Sequence, residues 1–166
     1  MPSLSQGGQS LLNCAGLSGP VVSVMEDQSS CGKVYVKKRI EVVGAVLMDD
    51  GKILAAQRGE DMALAGYWEF PGGKIESGEQ PEEALRRELA EELLCDAEVG
   101  EFLDTTEHEY DFGIVVLTTY FATFNGQAPT LTEHSEIRWL EPDELKSVEW
   151  APADVPAVEK LVKRFS

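Results

Sequence analysis

Glu88, Glu91 and Glu92 fall at positions i, i+3 and i+4 of "EFPGGKIESGEQPEEALRRELAEELL" (Glu69 to Leu94). The segment is crowded with glutamates in a chain that already carries a formal net charge of −16. Exposed like charges one helical turn apart repel, so the stripe is either a solvated helix face or a place where positive charge gathers. Two features favour the second. Leu85, Leu89 and Leu93 make a core-facing stripe, and the three carboxylates adjoin it rather than lie opposite. Gly72 and Gly73 follow Pro71, where the backbone can approach a ligand closely and offer a carbonyl. Hard oxygen ligands of this kind suit Mg²⁺ or Mn²⁺. Arg87, one turn before Glu91, can pair with it, and Glu79 just before the helix can face the same group.

These residues need elements to hold them. Pro81 to Leu94 reads as a helix with Pro81 at its first turn, where a missing N–H costs nothing. "RIEVVGAVLMDDGKILAAQR", from Arg39, reads as two strands joined by a tight turn at Asp49-Asp50-Gly51. Ile114 to Phe124 and Glu136 to Leu140 read as further strands. A second helix is expected from near Ala153 to Phe165, with Pro156 in its first turn.

The chain of 166 residues, 43% hydrophobic and 27% charged, has the length and make-up of one globular domain. Residues 1–38, rich in Gly, Ser and Gln, read as a flexible N-terminal extension, and 39–166 as the folded domain. The acidic balance speaks against a nucleic-acid polymer, which needs a basic face. It leaves room for a small phosphorylated substrate bridged by divalent cations. Cys14, Cys31 and Cys95 share no CxxC spacing and read as reduced thiols of a cytoplasmic protein. No apolar run approaches the roughly 18 residues of a membrane span, and "LLNCAG" (Leu11 to Gly16) lacks the basic and apolar stretches of a secretory signal.

The spacing Gly73-x5-Glu79-x7-Arg87-Glu88-Leu89-x-Glu91-Glu92 resembles the signature of the Nudix hydrolases, which cleave nucleoside diphosphates linked to another moiety. It matches at every charged position. One position departs: the family's glycine is Leu94 here, which leaves open how the helix ends. The resemblance runs from about Arg39 to Arg164. "WEFPGGKIESGE" is similar to the MutT-like branch, and "WAPADVPAVEKL" to its CTP pyrophosphohydrolase members. The implied fold is an α/β/α sandwich with a central mixed sheet. The resemblance implies Glu88, Glu91 and Glu92 as metal ligands, the Gly73 carbonyl as a backbone ligand, Glu79 as an outer member and Arg87 as the group that orients the glutamates. The base is Glu88, or Glu133 of "TLTEHSE", which also matches a metal or base position of the branch.

Arg58, at the end of the second hairpin strand, matches a phosphate-contacting arginine of the branch. Trp68 and Phe70 alternate along a strand and share one face, to stack on a base or to fill the core. Asp154 takes the place of a base-reading residue and, as an ionised acceptor, would receive hydrogen bonds from cytosine N4 or from guanine N1 and N2. Its other reading is a helix N-cap. His108 and His134 read as surface residues. The function implied is a Mg²⁺-dependent nucleoside triphosphate pyrophosphohydrolase acting on CTP, dCTP, 5-methyl-dCTP or 8-oxo-dGTP, as a monomer or homodimer. The alternatives are hydrolysis of dinucleoside polyphosphates or ADP-ribose, for which Tyr110 is a weak sign, and a non-catalytic nucleotide-binding module.

Overall fold

The structure, a computed structural model, describes residues 23–24, 35–130, 132 and 134–166. Strand β3 (Arg39–Asp49) organises it. Most of it runs parallel to β8 (Gly113–Asn125), from Arg39 opposite Ile114 to Leu47 opposite Ala122. On its other side it pairs antiparallel with the short β6 (Gly72–Lys74). Its last residues turn through Asp50 and Gly51, both left-handed at φ 46° and 77°, into β4 (Lys52–Gln57). That is the hairpin expected from the sequence. β4 carries β5 (Trp68–Glu69) and β9 (Glu136–Leu140), both antiparallel. β7 (Asp96–Tyr110) closes the far edge against β8. The mixed seven-stranded sheet matches the architecture implied by the resemblance.

Two helices cover the sheet. α1 (Pro81–Leu93) packs on β3, β6 and β7, and α2 (Val155–Phe165) packs on β7. The period-2 alternation of strands sorts the core into two layers. Val43, Ala45, Leu47 and Leu54 join the fully buried Leu85, Leu89 and Leu93 of α1. Val46, Ile53 and Ala55 join Ala157, Val158 and Leu161 of α2, together with Trp68, Phe70 and Trp150. Burying each such leucine contributes about 1.5–3 kcal/mol, so the leucine stripe of α1 fixes which way its neighbouring carboxylates face.

Three local outcomes differ from the sequence pattern or complete it. β7 has no counterpart in that pattern: its apolar alternation breaks at two register shifts between Val99 and Asp104, as bulges do. α1 ends at Leu94 in the left-handed conformation (φ 50°, ψ 33°), so the chain makes the turn the family makes with glycine. From the expected 1–38 extension only 23–24 and 35–38 are described, and Ser23–Val24 and Tyr35–Val36 form a small antiparallel ladder labelled β1 and β2. The rest of that extension, like Glu133, lies outside the described residues.

Candidate active site

A cleft of about 900 Å³ runs from the carboxylate stripe of α1 to the start of α2. Gly73, Arg87, Glu88, Glu91 and Glu92 line one end, and Arg58, Glu69, Phe70, Tyr110 and Asp154 line the other. The cleft thus gathers most of the residues singled out from sequence, contributed by β4, β5, β6, α1, β7 and the turn before α2.

The α1 end is organised around one guanidinium. Arg87 donates from Nε (2.9 Å) and Nη2 (2.8 Å) to the two oxygens of Glu79, and from Nη1 to Glu88 Oε1 at 2.6 Å. Glu91 Oε2 lies 3.6 Å from the same Nη1, and Arg87 Nη2 also reaches the Lys74 carbonyl at 3.1 Å. The hydrogen bonds from Arg87, helped by the Glu76 N–H, hold the Glu79 carboxyl down at about 2. Its hydrogen bonds to Glu79 and then Glu88 raise Arg87 above the ordinary guanidinium value. The positive charge implied by the crowding of glutamates is therefore partly supplied by the chain itself. Glu88 is tucked under β6: a Cβ at Gly73 would stand 2.3 Å from Glu88 Cδ, so a side chain there would push this carboxylate from its place. At Gly72 a Cβ would meet the Val43 carbonyl at 2.0 Å, which is why β6 can press against β3 there. Glu92 is buried, whereas the Glu91 side chain is 63% exposed. Among the described residues, no three acidic, histidine or cysteine side chains already meet as a closed cage. The donor chemistry still fits a hard divalent cation, since Glu88, Glu91, Glu92 and the backbone at Gly73 all face one end of the cleft.

At the other end the expectations need revision. Trp68 is 4% exposed and does not line the cleft; it fills the α2 layer, with the Arg138 guanidinium 4.8 Å above its ring. Phe70 is just as buried, packed 4.7 Å from Trp150, but its edge reaches the cleft wall. Arg58 is committed within the protein: Nη1 pairs closely with Glu69 Oε2, and Nε donates to the Ala63 carbonyl, closing the loop whose Met62, Ala63 and Leu64 also line the cleft. His134 is not a surface residue. Its side chain is 1% exposed and its Nε2 lies 3.0 Å from Glu69 Oε1. Burial opposes its protonation, but the hydrogen bond to Glu69 and the charges of Glu69 and Glu92 outweigh that and raise its pKa. His108 stays partly exposed on β7 with its ring 4.6 Å from that of Tyr110.

Asp154 occupies the N-cap position of α2 without capping it. Its Oδ1 accepts the Phe70 N–H at 3.0 Å instead, across 84 residues of chain. Complete burial, reinforced by the Glu69 charge, outweighs that hydrogen bond and the Arg58 charge, and pushes the carboxyl up to about 8. At neutral pH the group is therefore largely a neutral acid, able to donate as well as accept. The ionised acceptor expected from sequence is corrected to a neutral acid, a difference that comes from burial.

Glu69, unmarked by the sequence pattern, and Tyr110, only weakly marked by it, both line the cleft. Glu69 bridges Arg58 and His134. The Tyr110 hydroxyl accepts the Ala153 N–H at 3.0 Å and so fixes the residue before Asp154. Its ring also stacks on Phe112 at 4.9 Å, with 6° between the planes. A signal existed for Glu69: an acidic residue between two buried aromatics of a strand points the opposite way from both.

Comparison with known proteins agrees with this geometry. A family model described as NUDIX domain matches residues 38–164. The chain is 42% identical over 126 residues to "CTP pyrophosphohydrolase" of Escherichia coli (strain K12), covering 75% of this chain and 93% of that one. It is 37% identical over 129 residues to "Putative 8-oxo-dGTP diphosphatase 2" of Mycobacterium tuberculosis, covering 75% and 89%. Among solved structures it is similar to a MutT protein of the Nudix hydrolase family from methicillin-resistant Staphylococcus aureus 252. That similarity is 56% identity with a TM-score of 0.66, over 78% of this chain and 99% of the other.

Proposed function

Since the chain belongs to the Nudix hydrolase family, we propose that it hydrolyses a nucleoside triphosphate to the monophosphate and pyrophosphate, with cytidine nucleotides as the leading substrates and 8-oxo-dGTP the second class. The observation that carries this reading is the cleft itself, with a carboxylate cluster at one end and a buried, neutral Asp154 at the other.

The residues divide the work by position. Glu88, Glu91, Glu92 and the Gly73 carbonyl would hold Mg²⁺ or Mn²⁺, with Glu133 as a further ligand or base. A bound divalent cation supplies neutralisation of the triphosphate and acidification of its water. Arg87 keeps Glu79 ionised and holds both Glu79 and Glu88 in orientation, and a carboxylate oxygen of Glu88 or of Glu133 would take the proton of the attacking water. Arg58, at the mouth of its loop, faces the phosphates through its hold on Glu69. At the far end, a neutral carboxyl presents a donor beside an acceptor. This complements the Watson–Crick edge of cytosine, where the N3 acceptor adjoins the N4 amino donor. Phe70, with Tyr110 and Phe112, supplies apolar wall around the base. With its reduced cysteines and acidic surface, the enzyme would act in the cytoplasm on the nucleotide pool, as a monomer or homodimer.

The test is initial rates on CTP, dCTP, 5-methyl-dCTP, dGTP, 8-oxo-dGTP and ATP with Mg²⁺, resolving pyrophosphate from phosphate. Pyrophosphate release fastest with a cytosine base is the expected result. A fastest rate on 8-oxo-dGTP moves the reading to the second class. No turnover of any triphosphate overturns it.

A further inference from the structure

His134 is buried where an apolar side chain would pack at lower cost. Its Nδ1 has no hydrogen-bond partner among the described residues, and a buried polar atom left unpaired is destabilising. Packing alone therefore does not account for an imidazole here. What the ring does contribute is its Nε2–H, which donates to Glu69 Oε1 at 3.0 Å. The other oxygen of Glu69 holds Arg58.

The backbone around His134 is anchored on the opposite side of the cleft. Thr130 N–H donates to the Leu93 carbonyl at 2.8 Å, and Thr132 donates to the Glu92 carbonyl from N–H at 3.2 Å and from Oγ1 at 2.6 Å. These are last-turn carbonyls of α1, which have no partner within the helix. Ser135 N–H then donates to the Gln57 carbonyl at 3.0 Å. Thr130, Thr132, His134 and Ser135 thus form a strap that ties the carboxylate helix to β4 and β5.

We propose that His134 is a positioning residue, latching this strap to Glu69 so that the strap's contribution to hydrolysis depends on that one imidazole contact. The latch joins the two ends of the cleft: the strap reaches the turn that carries Glu91 and Glu92, while Glu69 sets Arg58 beside the loop at the far wall. This inference rests on the reading of the cleft as a hydrolase site.

The test compares His134→Ala and His134→Gln with the parent protein by amide hydrogen exchange and by steady-state hydrolysis. In His134→Ala the amides of Thr130, Thr132 and Ser135 are expected to exchange roughly tenfold or more faster, with those of α2 unchanged. The kcat is expected to fall by about 10- to 100-fold, the range for losing an outer support of a metal site, while the nucleotide KM moves much less. Glutamine can place its amide nitrogen near the position of Nε2, so His134→Gln is expected to recover strap protection and most of the kcat. Unchanged exchange in His134→Ala overturns the latch, as does a glutamine variant no better than alanine. A loosened strap with undiminished kcat overturns its catalytic part. If His134→Ala does not fold, strap protection in His134→Gln decides, and its loss overturns the proposal. The exchange measurement stands whether or not any triphosphate is hydrolysed, so failure of the latch and failure of the functional reading are told apart.

Discussion

The two ends of the cleft use the same functional group in opposite electrical states. At the α1 end, carboxylates gather around Arg87, which holds Glu79 at about 2. At the α2 end, Asp154 is sealed from water and pushed up to about 8. One end is therefore a set of anions fit to draw in cations and, through them, phosphate. The other is a neutral donor–acceptor pair fit to read a base edge. The lesson is that burial and a neighbouring guanidinium, not residue type, decide which role a carboxyl plays.

The strongest way to break this contrast is to remove one anion. Glu91→Gln, at a side chain 63% exposed, is expected to leave the melting temperature in place. It should cut pyrophosphate release by several kcal/mol of transition-state stabilisation, roughly 10²- to 10⁴-fold. Initial rates at saturating Mg²⁺ measure it, and an undiminished rate would remove the anion role from this end.

Asp154→Asn sharpens the other half. Because the folded carboxyl titrates at about 8 and an unfolded one at about 3.9, the folded chain holds a proton the unfolded chain has lost across that window. Stability from this group is full below pH ~4 and declines as pH rises to ~8, at up to about 1.4 kcal/mol per unit. Asparagine keeps the acceptor for the Phe70 N–H and has no charge to bury. Its melting temperature should gain on the parent as pH goes from about 5 to about 8. Parallel curves would mean Asp154 is ionised in the fold.

Arg87→Lys tests whether the α1 end needs a shaped cation or merely a charge. A lysine cannot match the two-pronged hold on Glu79 while also reaching Glu88. A loss of about tenfold in kcat is expected, as for other groups that orient metal ligands; equal rates would reduce Arg87 to a counter-charge. The smallest effect is expected at Leu94, which is 58% exposed and left-handed. A side chain in that conformation costs ~1–2 kcal/mol, part of which glycine returns through its freer unfolded chain. Leu94→Gly should raise stability by roughly 1 kcal/mol or less, read as a shift in urea midpoint with kcat unchanged.

The α1 end was legible in the sequence because its information is local. Glycine pair, carboxylate spacing and leucine stripe all lie within one short segment, and helical periodicity turns their order into positions. The hairpin at Asp50-Gly51 and the strands at 114–124 and 136–140 were legible for the same reason. β7 was hidden, since two bulges in "VGEFLD" erase the alternation that marks a strand. The far end was only partly legible. Asp154 could be singled out, but its protonation depends on burial by distant elements. Trp68 and Phe70 share a face, yet only packing reveals that one of them reaches the cleft. His134 looks like a loop residue until Glu69 is placed beside it.

The sequence separations of these contacts also set an order of events. Arg87 meets partners one and eight residues away, so the α1 end can take shape as soon as α1 does. His134 meets Glu69 across 65 residues, and Asp154 meets Phe70 across 84. Contacts of that span form only once most of the chain is available to close them. During synthesis, a chain whose final helix is still inside the ribosome can already hold its carboxylates around Arg87 but has no far wall to its cleft. The far wall of the cleft is the last part of this protein to be completed as it is made.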